Sequence, residues 1–532
     1  MSIFARFTAR VAAMKAREKQ PPTPPEIRNN AGGFTFAVTP ETRVRRFLTL
    51  GTESGSFYVS APELRRENAE FIVAYATSNT AQLVREIVDI STAGRAPRPN
   101  PALFALAAAA SVGDVDGRRA ALAALSKVAR TGTQLFLFVG YAKQFRGWGR
   151  GLSRAVGDWY LTKSVDDLAY QVLKYRQREG WTHRDLLRLA HPATTDDERG
   201  RLFDWICGRT PELTGLPLVG AFEEAQSVPT TALPALIRQH RLSWEMLPTE
   251  ALNDPTVWEA LLDNGIPQTA LLRQLPRLTR LGLLDPLNAR TSQVCAQLID
   301  PARLRKARVH PVAALIAART YAAGRSTRGS STWTPSAPVV DALDAAFYQA
   351  FESVASSGKR HLLALDVSAS MTQTIGGLAI TAREASAALA LVTARTESQH
   401  QIVGFTSRSR SDEGLSPLAI SPRQRLDDVL RTVSGLPFGG TDCALPILHA
   451  LAHDIDVDVF SIYTDNETWA GSIQPHEALT AYRKAINPRA KLVVVGMTAT
   501  NFSIADPDDA GMLDVAGFDA AVPTLLSDFA AA

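Results

Sequence analysis

Apolar residues recur at helical spacing between about residues 60 and 325, and turns that contain Pro or Gly separate the apolar segments. Positions three and four apart share one face of a helix, so this spacing predicts amphipathic helices packed against one another. No strong strand pattern interrupts them, which favours an all-α helical-repeat solenoid. The predicted helices include Asn68–Ser78, Ala102–Ala110, Arg118–Ala129, Leu168–Arg178, Thr256–Leu262 and Pro311–Ala323.

The pattern changes after Lys359, where short continuous apolar runs alternate with helical segments. The runs, at His361–Leu365, Gln401–Phe405, Val457–Tyr463 and Lys491–Gly496, are typical of buried strands. Helices are predicted between them at Thr381–Thr396, Cys443–Ala452 and Glu477–Ala485. This alternation predicts an α/β doubly wound parallel sheet, in which ligands bind beyond the carboxyl ends of the strands.

The chain of 532 residues is too long for one hydrophobic core, and we divide it into three parts. Residues 1–28 are basic and then Pro-rich, which predicts a mobile N-terminal arm. Residues 29–355 form the predicted helical region, and residues 356–532 form the predicted α/β region.

Charge is distributed unevenly along the chain. Residues 1–350 hold 44 Lys and Arg against 32 Asp and Glu, whereas residues 351–532 hold 13 against 21. A basic first part favours an anionic partner, nucleic acid above all, although a mildly basic body without such a partner would have the same composition.

Cysteine and hydropathy patterns indicate the compartment. Three widely separated cysteines, Cys207, Cys295 and Cys443, allow neither a disulfide framework nor a zinc site, which favours the reducing cytoplasm. Arg6 and Arg10 interrupt the N-terminal apolar residues, so we expect no secretory signal. No run of 18 apolar residues occurs, so we expect no membrane span.

Oxygen-bearing side chains follow two of the predicted strands. Asp366, Ser368 and Ser370 lie on one loop, Thr441 lies on a Gly-Gly loop about 70 residues later, and Asp465 follows another strand. Carboxylate and hydroxyl oxygens are ligands of hard divalent cations, Mg²⁺ first among them. The five residues therefore predict one metal site with a coordination position left open for an acidic outside ligand.

The same five residues resemble the metal-ion-dependent adhesion site of von Willebrand factor A domains, and all five positions match. One alternative is that these Asp and Ser residues only cap loop turns. A phosphotransferase with Asp366 as nucleophile is a second alternative, but Ser368 stands where that chemistry needs a second carboxylate, and no phosphate-binding Gly-rich loop occurs.

Residues 141–191 combine ten Lys and Arg with eight aromatic residues. Cations bind phosphate and aromatic rings stack on exposed bases, so this composition is typical of an RNA-binding surface. We nevertheless expect most of these aromatic residues to belong to the core, with several cations exposed. Lys174, Arg176 and Arg178 are predicted on one helix, with Lys174 and Arg178 one turn apart.

Several short sequence segments resemble the TROVE module of the Ro autoantigen family. They occur in the same order as in the family and extend across about residues 30–530. They include Gly147-Trp148-Gly149-Arg150, Lys174-Tyr175-Arg176-Gln177-Arg178, Trp181-Thr182-His183-Arg184-Asp185-Leu186-Leu187, Lys306-Ala307-Arg308-Val309-His310-Pro311 and Ala505-Asp506-Pro507-Asp508-Asp509. Residues Pro192–Arg199 depart from the vertebrate pattern and carry Asp196-Asp197-Glu198, which puts the choice of RNA in doubt.

The resemblance implies a ring of HEAT-like helical repeats whose two ends the A domain joins. It implies that small stem-loop Y RNAs bind the outer surface, while single-stranded 3′ ends of misfolded or structured RNA enter a positively lined hole. Family residues that bind Y RNA fall on Lys174, Arg178 and His191. In bacteria the resemblance also implies that the Y RNA tethers the protein to polynucleotide phosphorylase, a 3′ exoribonuclease.

From this we expect a non-catalytic RNA-binding protein of RNA quality control and stress-related RNA processing. One alternative is a metal-dependent protein-interaction scaffold that uses the A domain without direct RNA binding. Another is a metal-dependent nuclease or phosphatase, although no general base stands beside Asp366 or Asp465 in the sequence.

Overall fold

The computed structural model describes residues 26–51, 61–326, 330–351, 355–375, 380–408, 413–436, 439–517 and 519–532. Its first part consists mainly of helices, which pack through buried apolar faces into one continuous core. These helices are α1 Pro40–Leu50, α2 Ala61–Ser78, α3 Thr80–Ala93, α4 Asn100–Val112, α5 Val115–Ala123, α6 Leu125–Val128, α7 Gly132–Arg146, α8 Arg150–Leu161, α9 Val165–Lys174, α10 His183–Ala190, α11 Asp197–Ile206, α12 Pro217–Ala225, α13 Leu233–His240, α14 Pro255–Asp263, α15 Gln268–Arg280, α16 Ala289–Leu298, α17 Pro301–Lys306, α18 Pro311–Ala322 and α19 Ala337–Gln349.

Local sequence signals set many of these helix ends. A capping box at Thr131 and Gln134 begins α7, and Gly147 ends it with φ of 77°. Asp196 caps α11 by accepting a hydrogen bond from the Arg199 amide. The acidic residues that depart from the vertebrate pattern therefore begin a helix.

One predicted helix ends early. The prediction of Leu168–Arg178 is wrong beyond Lys174, where α9 stops, and strands β3 (Gln177–Arg178) and β4 (Trp181–Thr182) form a hairpin. Glu179 and Gly180, the two residues between the strands, have φ of 54° and 76°. Two consecutive residues of positive φ are what a tight two-residue hairpin needs, and they cannot continue a helix. Lys174 and Arg178 therefore do not share a helix face.

The start of the chain also differs from the prediction. Residues 1–25 of the predicted arm lie outside the described residues, but its last three form strand β1 (Glu26–Arg28). This strand pairs with β2 (Phe34–Ala37), which in turn pairs with β10 (Phe502–Ser503) of the C-terminal part. The prediction of an arm is thus wrong for residues 26–28.

A six-stranded sheet organises the C-terminal part in the order β11-β9-β8-β5-β6-β7, with β7 alone antiparallel to its neighbour. Alternate residues of one strand face opposite layers: Leu363 and Leu365 join the cluster that contains α20, while Leu362 and Ala364 join the cluster that contains α22 and α23. The predicted α/β doubly wound parallel sheet is confirmed. Its elements are β5 His361–Asp366, α20 Ala382–Thr396, β6 His400–Phe405, β7 Leu415–Pro417, α21 Leu426–Ser434, α22 Leu445–Ala452, β8 Val459–Thr464, α23 Pro475–Ala485, β9 Lys491–Gly496, β11 Met512–Ala516 and α24 Val522–Ala531.

The loop after α3 and the start of α18 meet beside the C-terminal part. The Arg95 guanidinium, which follows α3, forms an ion pair with Asp519, and the Arg95 carbonyl accepts a hydrogen bond from the Ala520 amide. The same carbonyl lies 2.9 Å from Nε2 of His310, at the start of α18. A closed arrangement of helices needs such a junction. Within the part of the chain that the structure describes, no helix is long and apolar enough to cross a membrane.

Candidate metal centre and nucleic-acid interface

The aromatic residues of the 141–191 stretch form a rigid support. Trp159 and Tyr160 are fully buried, and the Tyr160 hydroxyl lies 2.7 Å from Nδ1 of buried His183. Tyr141, Phe145, Trp148, Tyr170 and Trp181 are partly buried against the same core. Two of the eight aromatic residues are thus fully buried, five more are partly buried against the core, and Tyr175 is half-buried.

The three predicted RNA-binding residues occupy different environments. Arg178 is exposed on β3 of the hairpin, and His191 is exposed at the end of α10 in a left-handed conformation, with φ of 46°. The Lys174 side chain is only 10% exposed, and its ammonium lies 3.2 Å from the Tyr170 hydroxyl and 3.7 Å from a Glu245 carboxylate oxygen. Burial acts to lower the pKa of Lys174, but Tyr170, Glu245 and Tyr175 outweigh it and raise that pKa. Lys174 therefore stays charged but is already partnered.

Packing brings the exposed cationic side chains of α7, α8, α10 and the hairpin together. Lys143 of α7 lies 5.1 Å from the ring centre of Trp181 on β4. Trp148, in the loop before α8, donates from Nε1 to the Leu189 carbonyl of α10 at 3.1 Å. The exposed cations of these elements, with Arg176 just before β3, are Lys143, Arg146, Arg150, Arg154, Arg176, Arg178, Arg184 and Arg188. Among the described residues, none of these eight has a carboxylate oxygen within 4 Å. We call this set the cationic surface.

Four of the five predicted metal-binding residues, Asp366, Ser368, Ser370 and Asp465, lie at the carboxyl ends of β5 and β8, and the carbonyl of the fifth, Thr441, accepts a hydrogen bond from the loop after Asp465. Asp366 accepts hydrogen bonds from the Ser368 amide at 2.9 Å and from the Thr464 hydroxyl at 2.7 Å. The Ser368 and Ser370 hydroxyls lie 3.0 Å apart. All five side chains are almost completely buried: Asp366, Ser368, Ser370, Thr441 and Asp465.

Two orphaned atoms show that a cation suits this cluster. Within the described residues, Thr441 Oγ1 and Asp465 Oδ2 are buried without a hydrogen-bond partner, which is costly for any polar atom and more so for a carboxylate. The donor set of two carboxylates and three hydroxyls matches the preference of Mg²⁺ for oxygen. A hard divalent cation would satisfy both orphaned atoms.

The electrostatics of the cluster point the same way. Burial raises the pKa of Asp465 to about 8, and the negative charges of Asp366 and Glu467 add to that shift. Burial also raises the pKa of Asp366. Two buried carboxylates this close repel one another, and a bound cation would remove the repulsion.

The N-terminal segment holds the loop that follows Asp465. Asn29 donates to the Thr468 carbonyl at 2.7 Å, and Asn30 donates to the Glu467 carboxylate at 2.9 Å. Gly33 is needed there because a side chain would begin 1.9 Å from the Thr468 carbonyl oxygen. We call these contacts of Asn29 and Asn30 with Thr468 and Glu467 the N-terminal clamp, which the sequence did not predict. A run of Asn and Gly at residues 29–33 signals a turn, but nothing in it signals a contact more than 430 residues away.

One aromatic side chain borders the predicted metal site. Trp469 is 48% exposed, its amide donates to the Thr441 carbonyl at 3.1 Å, and a side chain at Gly440 would begin 2.8 Å from its ring. An exposed tryptophan beside a buried charged site gives a partner an apolar surface to contact.

Comparison with known domains matches both parts of the chain. The TROVE domain matches residues 27–212 and 238–321, and the Ro60 vWA domain matches residues 360–530.

Comparison with individual proteins gives matches along almost the whole chain. The chain is 42% identical over 513 residues to RNA-binding protein RO60 of Deinococcus radiodurans, covering 95% of each chain. It is 36% identical to RNA-binding protein RO60 of Caenorhabditis elegans, covering 95% of this chain and 90% of the relative. The crystal structure of the Deinococcus radiodurans RO (RSR) protein superposes with a TM-score of 0.70 at 41% identity, covering 93% of this chain and 99% of that one.

Proposed function

This chain belongs to the Ro60 family of TROVE-domain proteins, and we propose on that basis that it is a non-catalytic RNA-binding protein. The observation that carries the proposal is the cationic surface, whose exposed Arg and Lys side chains, among the described residues, have no carboxylate oxygen within 4 Å and stand over a core rich in aromatic side chains. RNA phosphates would supply the missing negative charge.

The proposed Y RNA site consists of Arg178, His191 and Lys174, in unequal roles. Arg178 is exposed and can contact phosphate directly, while His191 projects from the end of α10 and can stack on a base or donate a hydrogen bond. Lys174 is largely buried against Tyr170 and Glu245, so its role is to position the hairpin and to add positive potential.

The proposal extends to the fate of the RNA. Single-stranded ends of misfolded or structured RNA would bind inside the helical ring, with a Y RNA on the outer surface. The protein would then act in cytoplasmic RNA quality control, with the Y RNA tethering polynucleotide phosphorylase. The contact between the loop after α3 and the start of α18, beside Asp519 and Ala520, supports a closed ring of this kind.

The proposed metal site serves docking rather than catalysis. Asp366, Ser368, Ser370, Thr441 and Asp465 would hold the Mg²⁺, which would supply a positive charge for an acidic outside ligand. The Ser and Thr hydroxyls are neutral oxygen donors, and all five side chains lie buried. The chain's own contribution is to keep this charge-bearing cluster rigid beneath Trp469 and the N-terminal clamp.

Filter binding of a labelled stem-loop RNA over a range of salt concentrations tests RNA binding. We expect affinity to fall steeply with salt, with a log–log slope of about 0.7–0.9 for each neutralised phosphate. Arg178→Gln should weaken binding and reduce the slope by roughly one such unit. Lys484→Gln removes an equally exposed charge from the acidic C-terminal part and should change neither. Affinity independent of salt would contradict the proposal.

Trp469 favours a second candidate, a protein-interaction scaffold that binds an acidic partner through the metal and an apolar side chain through the indole. Specific RNA binding by the wild-type protein separates the two functions, and replacing Lys174 and Arg178 together by Glu tests whether this surface carries it. RNA binding should collapse if the protein binds RNA at this surface. Under the scaffold function the wild-type protein would have no specific RNA binding to lose.

A further inference from the structure

A basic cavity of about 310 Å³ lies where α4, α5, α7 and α8 meet. Four arginines line it: Arg118, Arg119, Arg146 and Arg150. No Asp or Glu is among its lining residues, and the rest of the wall is small or apolar, including Leu122 and Leu152. The volume is at the lower limit of small-ligand pockets, which suits one nucleotide unit and not a helix.

Backbone carbonyls at the end of α4 orient two of the arginines. Arg118 donates from Nη1 to the Gly113 carbonyl at 2.8 Å, and Arg146 donates from Nη1 to the Ser111 carbonyl at 3.4 Å. Both acceptors belong to the C-terminal end of α4, where carbonyl oxygens lack helical partners. The guanidinium groups are thus oriented before any ligand arrives, which lowers the entropy lost on binding.

The positive charge in the cavity is not neutralised locally. Among the described residues, only Arg119 of the four has a carboxylate within 4 Å, that of Asp116, and the two side chains are 77% and 90% exposed. An ion pair so exposed contributes little. The nearby Asp114 is used to cap α5, where it accepts a hydrogen bond from the Gly117 amide.

The backbone at the mouth of the cavity is open. Nothing lies within 4 Å of where a side chain would begin at Gly147 or Gly149. Gly149 precedes α8 without a side-chain cap, so the first amides of that helix have no side-chain acceptor. A phosphate can therefore approach the main chain as well as the arginines.

The cavity adjoins the proposed RNA site. Trp148, between its two open glycines, donates to the Leu189 carbonyl, and Ser153 of α8 donates to the Ala190 carbonyl at 3.2 Å. Those two carbonyls immediately precede His191. The mouth of the cavity and His191 are therefore neighbours on the surface.

We propose that this cavity binds a phosphodiester group of the RNA next to the nucleotide at His191, an inference that rests on the proposed function. Arg118 and Arg146, oriented by the carbonyls at the end of α4, bind the phosphate, and Arg119 and Arg150 add positive charge beside it. The cavity extends the RNA footprint from the hairpin across α8 to α5.

Filter binding of one stem-loop RNA with a single-stranded tail, between 50 and 200 mM salt, tests this extension. The double variant Arg118→Gln/Arg146→Gln should bind about tenfold more weakly, with a log–log salt slope lower by about one phosphate contact. The control Lys484→Gln/Arg489→Gln removes two exposed charges from the C-terminal part and should match the wild type.

A second variant guards against misfolding. Gly149→Asp places a carboxylate at the cavity mouth, at a position where Asp also caps a helix well. It should leave thermal stability equal or higher while it weakens RNA binding by a factor similar to that of the double variant. Stable variants that bind RNA like the control would overturn the cavity proposal.

Other outcomes separate the two proposals and the source of the phosphate. Wild-type protein that fails to bind the RNA overturns the proposed function and the cavity proposal together. Loss of RNA affinity in Arg178→Gln but not in the cavity variants overturns the cavity proposal alone. Calorimetric titration with inorganic phosphate distinguishes RNA from a free anion. If Arg118→Gln/Arg146→Gln loses phosphate binding but keeps its RNA affinity, the cavity is a small-anion site, and a role in RNA binding is overturned.

Discussion

Arg46 joins the helical region to the C-terminal sheet, and its removal should destabilise the protein more than any other single loss of charge on α1. Its side chain is 1% exposed. The guanidinium forms an ion pair with Asp514 of β11 and donates from Nη1 to the carbonyls of Thr500 at 2.9 Å and Phe502 at 2.7 Å. Every one of these partners lies more than 450 residues away in the chain.

Arg46→Leu leaves the Asp514 carboxylate, whose side chain is 11% exposed, without its cation. It also leaves two buried carbonyls without those donors. Breaking one side of a buried ion pair costs about 3–5 kcal/mol, so we expect the free energy of unfolding to fall by about that amount. Arg45→Leu is the matched control. The neighbouring side chain is 51% exposed and pairs with Glu86, and such surface pairs contribute about 0–1 kcal/mol.

Urea unfolding followed by circular dichroism measures both variants, and hydrogen exchange of the β11 amides locates the loss. We expect early exchange in β11 for Arg46→Leu and not for Arg45→Leu. The double variant Arg46→Leu/Asp514→Leu should recover part of the lost stability, because it removes the unpaired carboxylate. Equal destabilisation by Arg46→Leu and Arg45→Leu would show that the buried contacts of Arg46 contribute no more than the exposed pair of Arg45 with Glu86.

Two further predictions concern pH and metal. Burial lowers the pKa of His183 to about 3, so the stability that its neutral ring contributes is fully present above about pH 6.5 and is lost as pH falls towards 3. At pH 5 this lowers the free energy of unfolding by about 2 kcal/mol. Urea unfolding of His183→Gln between pH 7 and pH 5 should therefore show a fall in stability that is smaller by about 2 kcal/mol than in the wild type. An equal fall in the two proteins would contradict this. Mg²⁺ at 100 times its dissociation constant should stabilise the fold by about 2.7 kcal/mol, visible as a higher melting temperature. Thr441→Val and Asp465→Asn should abolish that increase, and a wild-type melting temperature that is the same in Mg²⁺ and in chelator would count against the site.

The sheet and the meeting of Asp366 with Asp465 at one of its edges could be predicted from the sequence. Parallel strands buried on both faces are continuous apolar runs, and β9 was predicted with its observed bounds, Lys491–Gly496. Because the carboxyl ends of such strands meet at one edge, Asp366 and Asp465 could be placed together from the order of the elements alone.

The features that were missed depend on local φ angles or on distant partners. The helix predicted through Arg178 has good helical spacing, and only the positive φ of Glu179 and Gly180 turns the chain into a hairpin. Partners of Arg46 and Asn29 lie more than 400 residues away, and no local pattern encodes them. The burial of Lys174 was missed for the same reason, because Glu245, its carboxylate partner, lies in a distant part of the sequence.

The most direct test of RNA binding is the sequencing of RNA that co-purifies with the native protein from its own cells. We expect one recurrent small stem-loop RNA, present with the wild-type protein and depleted with Arg178→Gln. RNA at background levels, or a random sample of cellular transcripts that is unchanged by Arg178→Gln, would contradict it.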